Sequence, residues 1–433
     1  MKLSDSSIRF SGLSARLLFG LILLIPGYAL EAQPTSSERT ALRVCLVSTA
    51  EEPESLRAAL KKSLESTFGP NVVLTSAERK SDGRLSLACL KAADAAVFLQ
   101  GPGPLAEGDA AELREFLNAN KGTVILAAAK GRWDALPGFI DEYLGAQPDG
   151  RFADGAAMSV INLFPHSIYT GITSFETEQA MPLWLNLAED AQLIMEGTVG
   201  EETAPLAWVR RWNGGRLCHI APGGSQLVAD VSYMRIVANA VLWASGRAIP
   251  DAQAIVQRTF MPESHPGSIA ITFPSGPGVC FDPVRGGINF IWDGDFVDLR
   301  PRWLTKQGAP ARIFGRVFYR ETLWQPMRLE APTRDADFQF RGYRLTSAGP
   351  KFHYQINGRD VVETFAATSD GQGLLRQFRV GAGVGPLWIR LEPQAEAEIS
   401  LTGLVRDGEH ALFASAAAGE FSIEIRRRAG DAL

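Results

Sequence analysis

The sequence predicts an α/β domain, a three-layer sandwich built on a mainly parallel sheet, followed by an all-β sandwich domain. Three observations carry that prediction. Between Ala41 and Arg247, short apolar runs without polar alternation take turns with helix-period segments, as strands covered on both faces do. Beyond about residue 268 the helical period disappears, and short strand-like runs separated by turn residues replace it. At 433 residues the chain is also too long for one ordinary core, so two domains are expected.

Residues 1–32 are of a different character from the rest. Lys2, Arg9 and Arg16 precede an apolar run from Leu17 to Ile25, then Pro26, Gly27 and small residues to Ala32. This is the pattern of a secretory signal peptide, with removal expected after Ala32. The apolar run is shorter than the roughly 20 residues a bilayer requires, so no membrane association is expected once it is removed. The expected location is the periplasm or the exterior. Export implies an oxidising compartment, where Cys45, Cys89, Cys218 and Cys280 allow three pairings among which the sequence does not choose. Cys45 and Cys218 sit in apolar strand-like runs, and at least two of the four read as buried free thiols. No C-x-x-C pair occurs, so neither a zinc site nor thioredoxin-type chemistry is expected.

The α/β domain is expected over 41–247. Arg43–Ser48 reads as a buried strand. Pro53 suits the first turn of a helix in which Leu56, Leu60 and Leu64 share a face. Ala95–Leu99 is a second apolar strand, followed by Gly101-Pro102-Gly103-Pro104. A helix from about Glu107 turns Leu113, Phe116 and Leu117 inward and ends at Asn120-Lys121-Gly122, before the strand Thr123–Ala128. Arg216–Ala221 is a late strand, and Ser225 is expected to cap the helix that follows. That helix carries Tyr233, Ile236, Val237, Ala240, Val241 and Ala244 on one stripe and stops at Gly246. A Rossmann-like or flavodoxin-like three-layer sandwich follows from this pattern.

Residues 248–267, with Pro250, Pro262 and Pro266, read as a linker. The β-sandwich is expected over 268–430, with strands at Ser268–Phe273, Gly287–Trp292, Arg312–Phe318, Lys351–Ile356, Asp360–Ala366 and Glu396–Leu401. Phe352, Tyr354 and Ile356 alternate onto one face.

Composition excludes some functions. A hydrophobic share of 46%, a charged share of 21% and a net charge of −5 describe a globular chain. Without a basic run or an aromatic-basic stripe, no nucleic-acid partner is expected.

Three segments recur together in one family: Pro-His-Ser-Ile-Tyr-Thr-Gly-Ile (165–172), Pro-Leu-Ala-Trp-Val-Arg-Arg-Trp-Asn-Gly-Gly-Arg-Leu (205–217) and Val-Ala-Asn-Ala-Val-Leu-Trp-Ala-Ser-Gly-Arg (237–247). On these residues the α/β domain resembles the ThuA-like (trehalose-utilisation) family, related in fold to class I glutamine amidotransferases. The resemblance implies the same three-layer fold and a carbohydrate-related substrate. Such sequences usually place a His at the end of the central strand, where this chain has Leu126-Ala127-Ala128-Ala129. They also carry Gly-His-Asp after the late strand, where Gly223-Gly224-Ser225 stands here. Only His166 keeps its family position. Cys280-Phe281-Asp282, the run Ile291–Asp298, Pro301-Arg302-Trp303 and the run Phe340–Leu345 resemble a β-rich module of secreted bacterial proteins, found beside c-type cytochrome or sugar-dehydrogenase domains.

Amidotransferase-type catalysis needs a nucleophile at the sharp turn after a central strand. Ala129-Lys130-Gly131-Arg132 supplies neither Cys nor Ser there. What remains is His166, Glu176, Glu178 and His219, a set able to hold a divalent cation or move a proton. The plainer reading has His166 bonding backbone in a turn, the two glutamates in solvent and His219 inside the core. Gly223 and Gly224 offer a ligand close access to backbone at a strand's carboxyl end. The prolines of Gly101-Pro102-Gly103-Pro104 remove amides that a phosphate needs, so no dinucleotide cofactor is expected. Trp292, Trp303 and Trp324 with Asp293, Asp295 and Asp298 admit either sugar stacking or a core of tryptophans beside a solvated hairpin.

The reading that fits best is an exported carbohydrate-related binding module with a degenerate cleft rather than an enzyme, needing no metal or cofactor. A sugar or glycan would bind at the carboxyl ends of the parallel strands or in the crease between domains. Its contacts would come from His166, Glu176, Glu178, His219, Gly223 and Gly224. Two alternatives stay open. One is a metal-assisted sugar hydrolase or isomerase. The other is a scaffold whose β-domain docks a redox or hydrolytic protein partner.

Overall fold

A computed structural model describes residues 40–428, apart from 49–52, 120, 129–131, 154–157, 179–180, 200, 213–214, 224, 275, 302–307, 323–326, 330–335 and 347–348. The expected signal segment, Gly224, Trp303 and Trp324 lie outside those residues.

The α/β domain is organised by an eight-stranded sheet. Its spatial order is Val72–Ser76, Leu42–Ser48, Ala95–Leu99, Gly122–Leu126, Gly215–Ile220, Glu202–Trp212, Gln192–Val199 and Met158–Leu163. The first five run parallel, and the last three reverse direction at each step. The parallel centre is apolar because helices cover both faces: Ala95–Leu99 and Gly122–Leu126 are buried at every position. Helix α1 (Pro53–Phe68) buries the expected Leu56, Leu60 and Leu64. It packs with α3 (Val231–Ala244), while α2 (Glu107–Asn118) buries Leu113, Phe116 and Leu117. The chain turns one way along the sheet through α1 and the other way through α2, so right-handed crossovers place these two helices on opposite faces.

Helix α3 departs from the single stripe expected. Met234, Ala238, Asn239, Leu242 and Trp243 are buried as well. The 165–172 segment accounts for part of this, because Asn239 Nδ2 donates to the Ile168 and Thr170 carbonyls at 2.8 and 3.1 Å. The cap also differs from expectation. Ser225 opens a 3₁₀ turn, Ser225–Ala229, and Asp230 caps α3 by accepting from the Tyr233 amide at 2.7 Å.

The predicted linker is partly a strand. Ile255–Arg258 pairs antiparallel with Ile269–Thr272 and forms the edge of a five-stranded sheet. That sheet continues through Gly278–Asp282, Gly287–Asp293 and Arg316–Arg320. It faces a six-stranded sheet containing Gly349–Ile356, Arg359–Ala367 and Gly373–Val380, and both contribute to one core. Phe281 and Phe352 meet across it with ring centroids 4.7 Å apart. As expected, Phe352, Tyr354 and Ile356 all point inward. Arg376 is buried in this domain between Glu321 (2.9 Å) and Glu363 (2.6 Å), and Tyr354 donates to Glu363 at 2.9 Å. Burial outweighs Arg376 and Arg285 at Glu321, pushing its carboxyl up to about 7.

Cys45 is bonded to Cys89 rather than free, tying the first strand to the 3₁₀ turn Ala88–Ala92. Cys218 and Cys280 are the buried thiols, both pushed up by burial, Cys280 to about 11. Among the described residues no helix is long and apolar enough to cross a membrane.

Candidate functional site

The strand Gly215–Ile220 contains His219 and has His166 and Gly223 at its two ends. Near its start, Arg216 Nη1 donates to the Trp243 carbonyl in the last turn of α3 at 2.9 Å. His166 belongs to this end, its ring edge-on to Trp243 at 5.5 Å. Gly223 lies past the other end, where a Cβ would stand 2.9 Å from the Ala127 Cβ. Glu176 and Glu178 are exposed. His219 is fully buried, its ring 5.1 Å from that of Trp184 and 4.0 Å from that of Trp208. Burial lowers it to about 3, and neither ring nitrogen has a hydrogen-bond partner. Among the described residues no three His, Cys, Asp or Glu side chains are grouped to hold a metal ion. The set His166, Glu176, Glu178 and His219 therefore does not assemble.

The carboxyl edge of the parallel strands keeps a sharp turn. Ala127, one residue past the central strand, has φ +48° and donates its amide to the Ile220 carbonyl at 2.9 Å. Its neighbour Gln100 has φ +65°. Left-handed backbone at a non-glycine residue is costly and turns the side chain out of the strand's line. Here that side chain is a methyl. Trp133 closes over the same edge, donating to the Gln100 carbonyl at 3.0 Å and stacking on Phe139 at 3.7 Å. The Gly103 amide is taken by the Arg132 carbonyl at 3.0 Å.

The opposite edge receives the sandwich. Asp295, just after the strand Gly287–Asp293, reaches into the α/β domain. Its Oδ1 accepts from Trp243 Nε1 at 3.1 Å and its Oδ2 from Arg211 Nε at 3.2 Å. His166 Nε2 stands 3.9 Å from Oδ1. Burial opposes the Asp295 charge, but Arg211, His166, Arg216 and the Trp243 N–H overcome it and hold the carboxyl well below its usual range. His166 is lowered to about 4 by burial, with Arg216 and Arg211 assisting against Asp295. Asp295 is thus not part of a hairpin with its polar face in water. Trp292 is core, its Nε1 donating to the Asp295 carbonyl at 3.1 Å.

Beside this joint lies a cavity of about 490 Å³, with Asp190, Arg210, Arg211, Asp293, Asp295 and Arg316 on its walls. Ile313 and Phe314 give it an apolar side. Arg210 Nε lies 2.8 Å from both Asp190 oxygens, and Arg427 pairs with Asp293.

Residues 43–244 match the family model described as ThuA, trehalose utilisation. This segment is a ThuA-like domain. No curated protein is a significant match to the chain. Among solved structures, a cytoplasmic protein of Salmonella typhimurium is 12% identical, with 47% of this chain and 99% of that one covered, at a TM-score of 0.36. A ThuA-like protein of Bacteroides uniformis is 14% identical over 50% and 95% of the two chains, at 0.36. One from Parabacteroides merdae is 13% identical over 49% and 92%, at 0.35.

The ThuA-like domain therefore presents two unlike edges. Among the described residues, its carboxyl edge carries the Ala127 methyl and the Trp133 indole. Its amino edge, joined to the sandwich, concentrates charge in a cavity. Residue types alone pointed to Asp293 and Asp295, and the Trp-Val-Arg-Arg-Trp run (208–212) contained Arg210 and Arg211. Their meeting was not legible, because Arg211 and Asp295 lie 84 positions apart in different domains.

Proposed function

We propose that the chain is an exported carbohydrate-binding module that holds a sugar or glycan in the cavity between the ThuA-like domain and the sandwich. The observation carrying this reading is the cavity wall. Asp190, Asp293 and Asp295 stand there with Arg210, Arg211 and Arg316, acceptors and donors for sugar hydroxyls, and Phe314 and Ile313 offer an apolar surface for a ring face. The volume suits one or two sugar rings. The family's description as trehalose utilisation supports the ligand class. The Cys45–Cys89 disulfide and the signal-like composition of residues 1–32 support export.

The module is non-catalytic in this reading, because the turn after the central strand carries methyl groups at Ala127 and Ala128, with no attacking atom. The metal-assisted alternative has no group of ligands behind it among the described residues.

Thermal-shift screening of the protein against a mono- and oligosaccharide panel tests the proposal. At least one sugar should raise the melting temperature by mass action. Phe314→Ala and Arg316→Ala should each abolish that rise while leaving the unliganded protein folded. A panel without a stabilising sugar defeats the binding reading. A sugar that stabilises wild type and both variants equally assigns binding to another place.

A further inference from the structure

We infer that a single water molecule is bound between the ThuA-like domain and the sandwich, held by His166 Nε2, Asp295 Oδ1 and Thr272 Oγ1. The inference rests on orphaned polar atoms and stands independently of the sugar reading. His166 Nε2 and Thr272 Oγ1 are both buried without a hydrogen-bond partner in the protein. Both residues are more than nine-tenths buried, and both line one small cavity together with Asp295, Ser167 and Phe296. That cavity measures about 10 Å³, room for one water and for no larger ligand. An unpaired buried polar atom is costly, so a polar pocket of this size favours a solvent molecule that satisfies several groups at once.

Hydrogen bonding fixes the chemistry of the occupant. The Ile168 amide donates to His166 Nδ1 at 3.2 Å, so Nδ1 is the unprotonated nitrogen of the neutral ring. Nε2 then carries the hydrogen, and its N–H faces Asp295 across 3.9 Å, too far for a direct bond. The occupant accepts from Nε2–H and donates to the Asp295 carboxylate. Its second hydrogen goes to Thr272 Oγ1. Water meets all three demands. A metal cation does not, since a ring N–H points at it.

The His166 of the 165–172 segment thereby gains a second role. One nitrogen caps the turn Ser167–Tyr169, and the other reaches across the domain boundary through the water. The same carboxylate holds Arg211 on its other oxygen, so the water also fixes one wall of the larger cavity.

An atomic-resolution crystal structure of the protein tests this directly. One water peak is expected within hydrogen-bond distance of all three atoms. An empty cavity, a direct His166–Asp295 hydrogen bond or a peak with cation-like coordination overturns the inference. Thr272→Val should lose the peak and Thr272→Ser should keep it; a peak unchanged in the valine variant removes Thr272 from the site. Nitrogen-15 histidine spectra give a second readout in the unmodified protein. His166 should show the Nε2–H tautomer, and an Nδ1–H signal contradicts the assignment.

Discussion

His166 is a base kept from its proton by its surroundings. Burial lowers it from 6.5 to about 4, with Arg216 and Arg211 from the sheet assisting and Asp295 from the sandwich opposing, while Trp243 of α3 packs edge-on against its ring. The unfolded chain therefore binds a proton in this window that the native protein refuses. His166 contributes full stability above about pH 6.5, and that contribution is lost as pH falls towards 4. Glu321, raised to about 7, acts in the opposite sense, so the comparison must be between wild type and His166→Asn. The difference in their unfolding free energies should shrink from pH 6.5 to 4 in urea titrations. A pH-independent difference rules this out. Ala127 offers a second test at this scale. Its φ of +48° costs an L-residue about 1–2 kcal/mol, against less than 1 kcal/mol of extra chain entropy for glycine. Ala127→Gly should stabilise the protein by about 0.5–1 kcal/mol in equilibrium denaturation, and a loss of stability would show that its methyl packs more than it strains.

Elements were legible where local pattern and tertiary role agree. Four of the parallel strands and helices α1 and α2 have apolar runs or periods that burial simply fulfils, whereas Val72–Ser76 alternates and α3 is buried beyond its one stripe. Glu202–Trp212 was missed because Pro205 interrupts a run that otherwise reads as a strand, and Ile255–Arg258 because prolines flank it. Neither obstacle operates in three dimensions, since neighbouring strands supply the pairing. The α3 cap was displaced to Asp230 because Ser225 opens a separate 3₁₀ turn first. Asp230→Ala should therefore cost about 1 kcal/mol by chemical denaturation, and a neutral result would show that α3 depends on packing alone. The disulfide spans 44 positions, so its reduction should remove about 4 kcal/mol through the unfolded chain's regained freedom. Equal urea midpoints for the oxidised and reduced protein would show that the bond is dispensable.

At the scale of the molecule, one carboxylate joins two cores. Asp295→Ala removes the acceptor for Arg211 and Trp243, and leaves the buried indole N–H and the half-buried guanidinium without it. Calorimetry should then resolve two melting transitions where wild type shows one, and a single unshifted peak would mean the domains are coupled by other contacts. This joint escaped sequence reading because no local pattern announces a partner so distant in the chain. The strand Ile255–Arg258 has a practical corollary for anyone dividing the protein by cloning. A fragment opened at Ser268 would strip the border from a sheet and bare the row of amides along Ile269–Thr272, inviting self-association. The sandwich should be expressed from about residue 250 onward, and a fragment begun there should stay monomeric where the shorter one clumps.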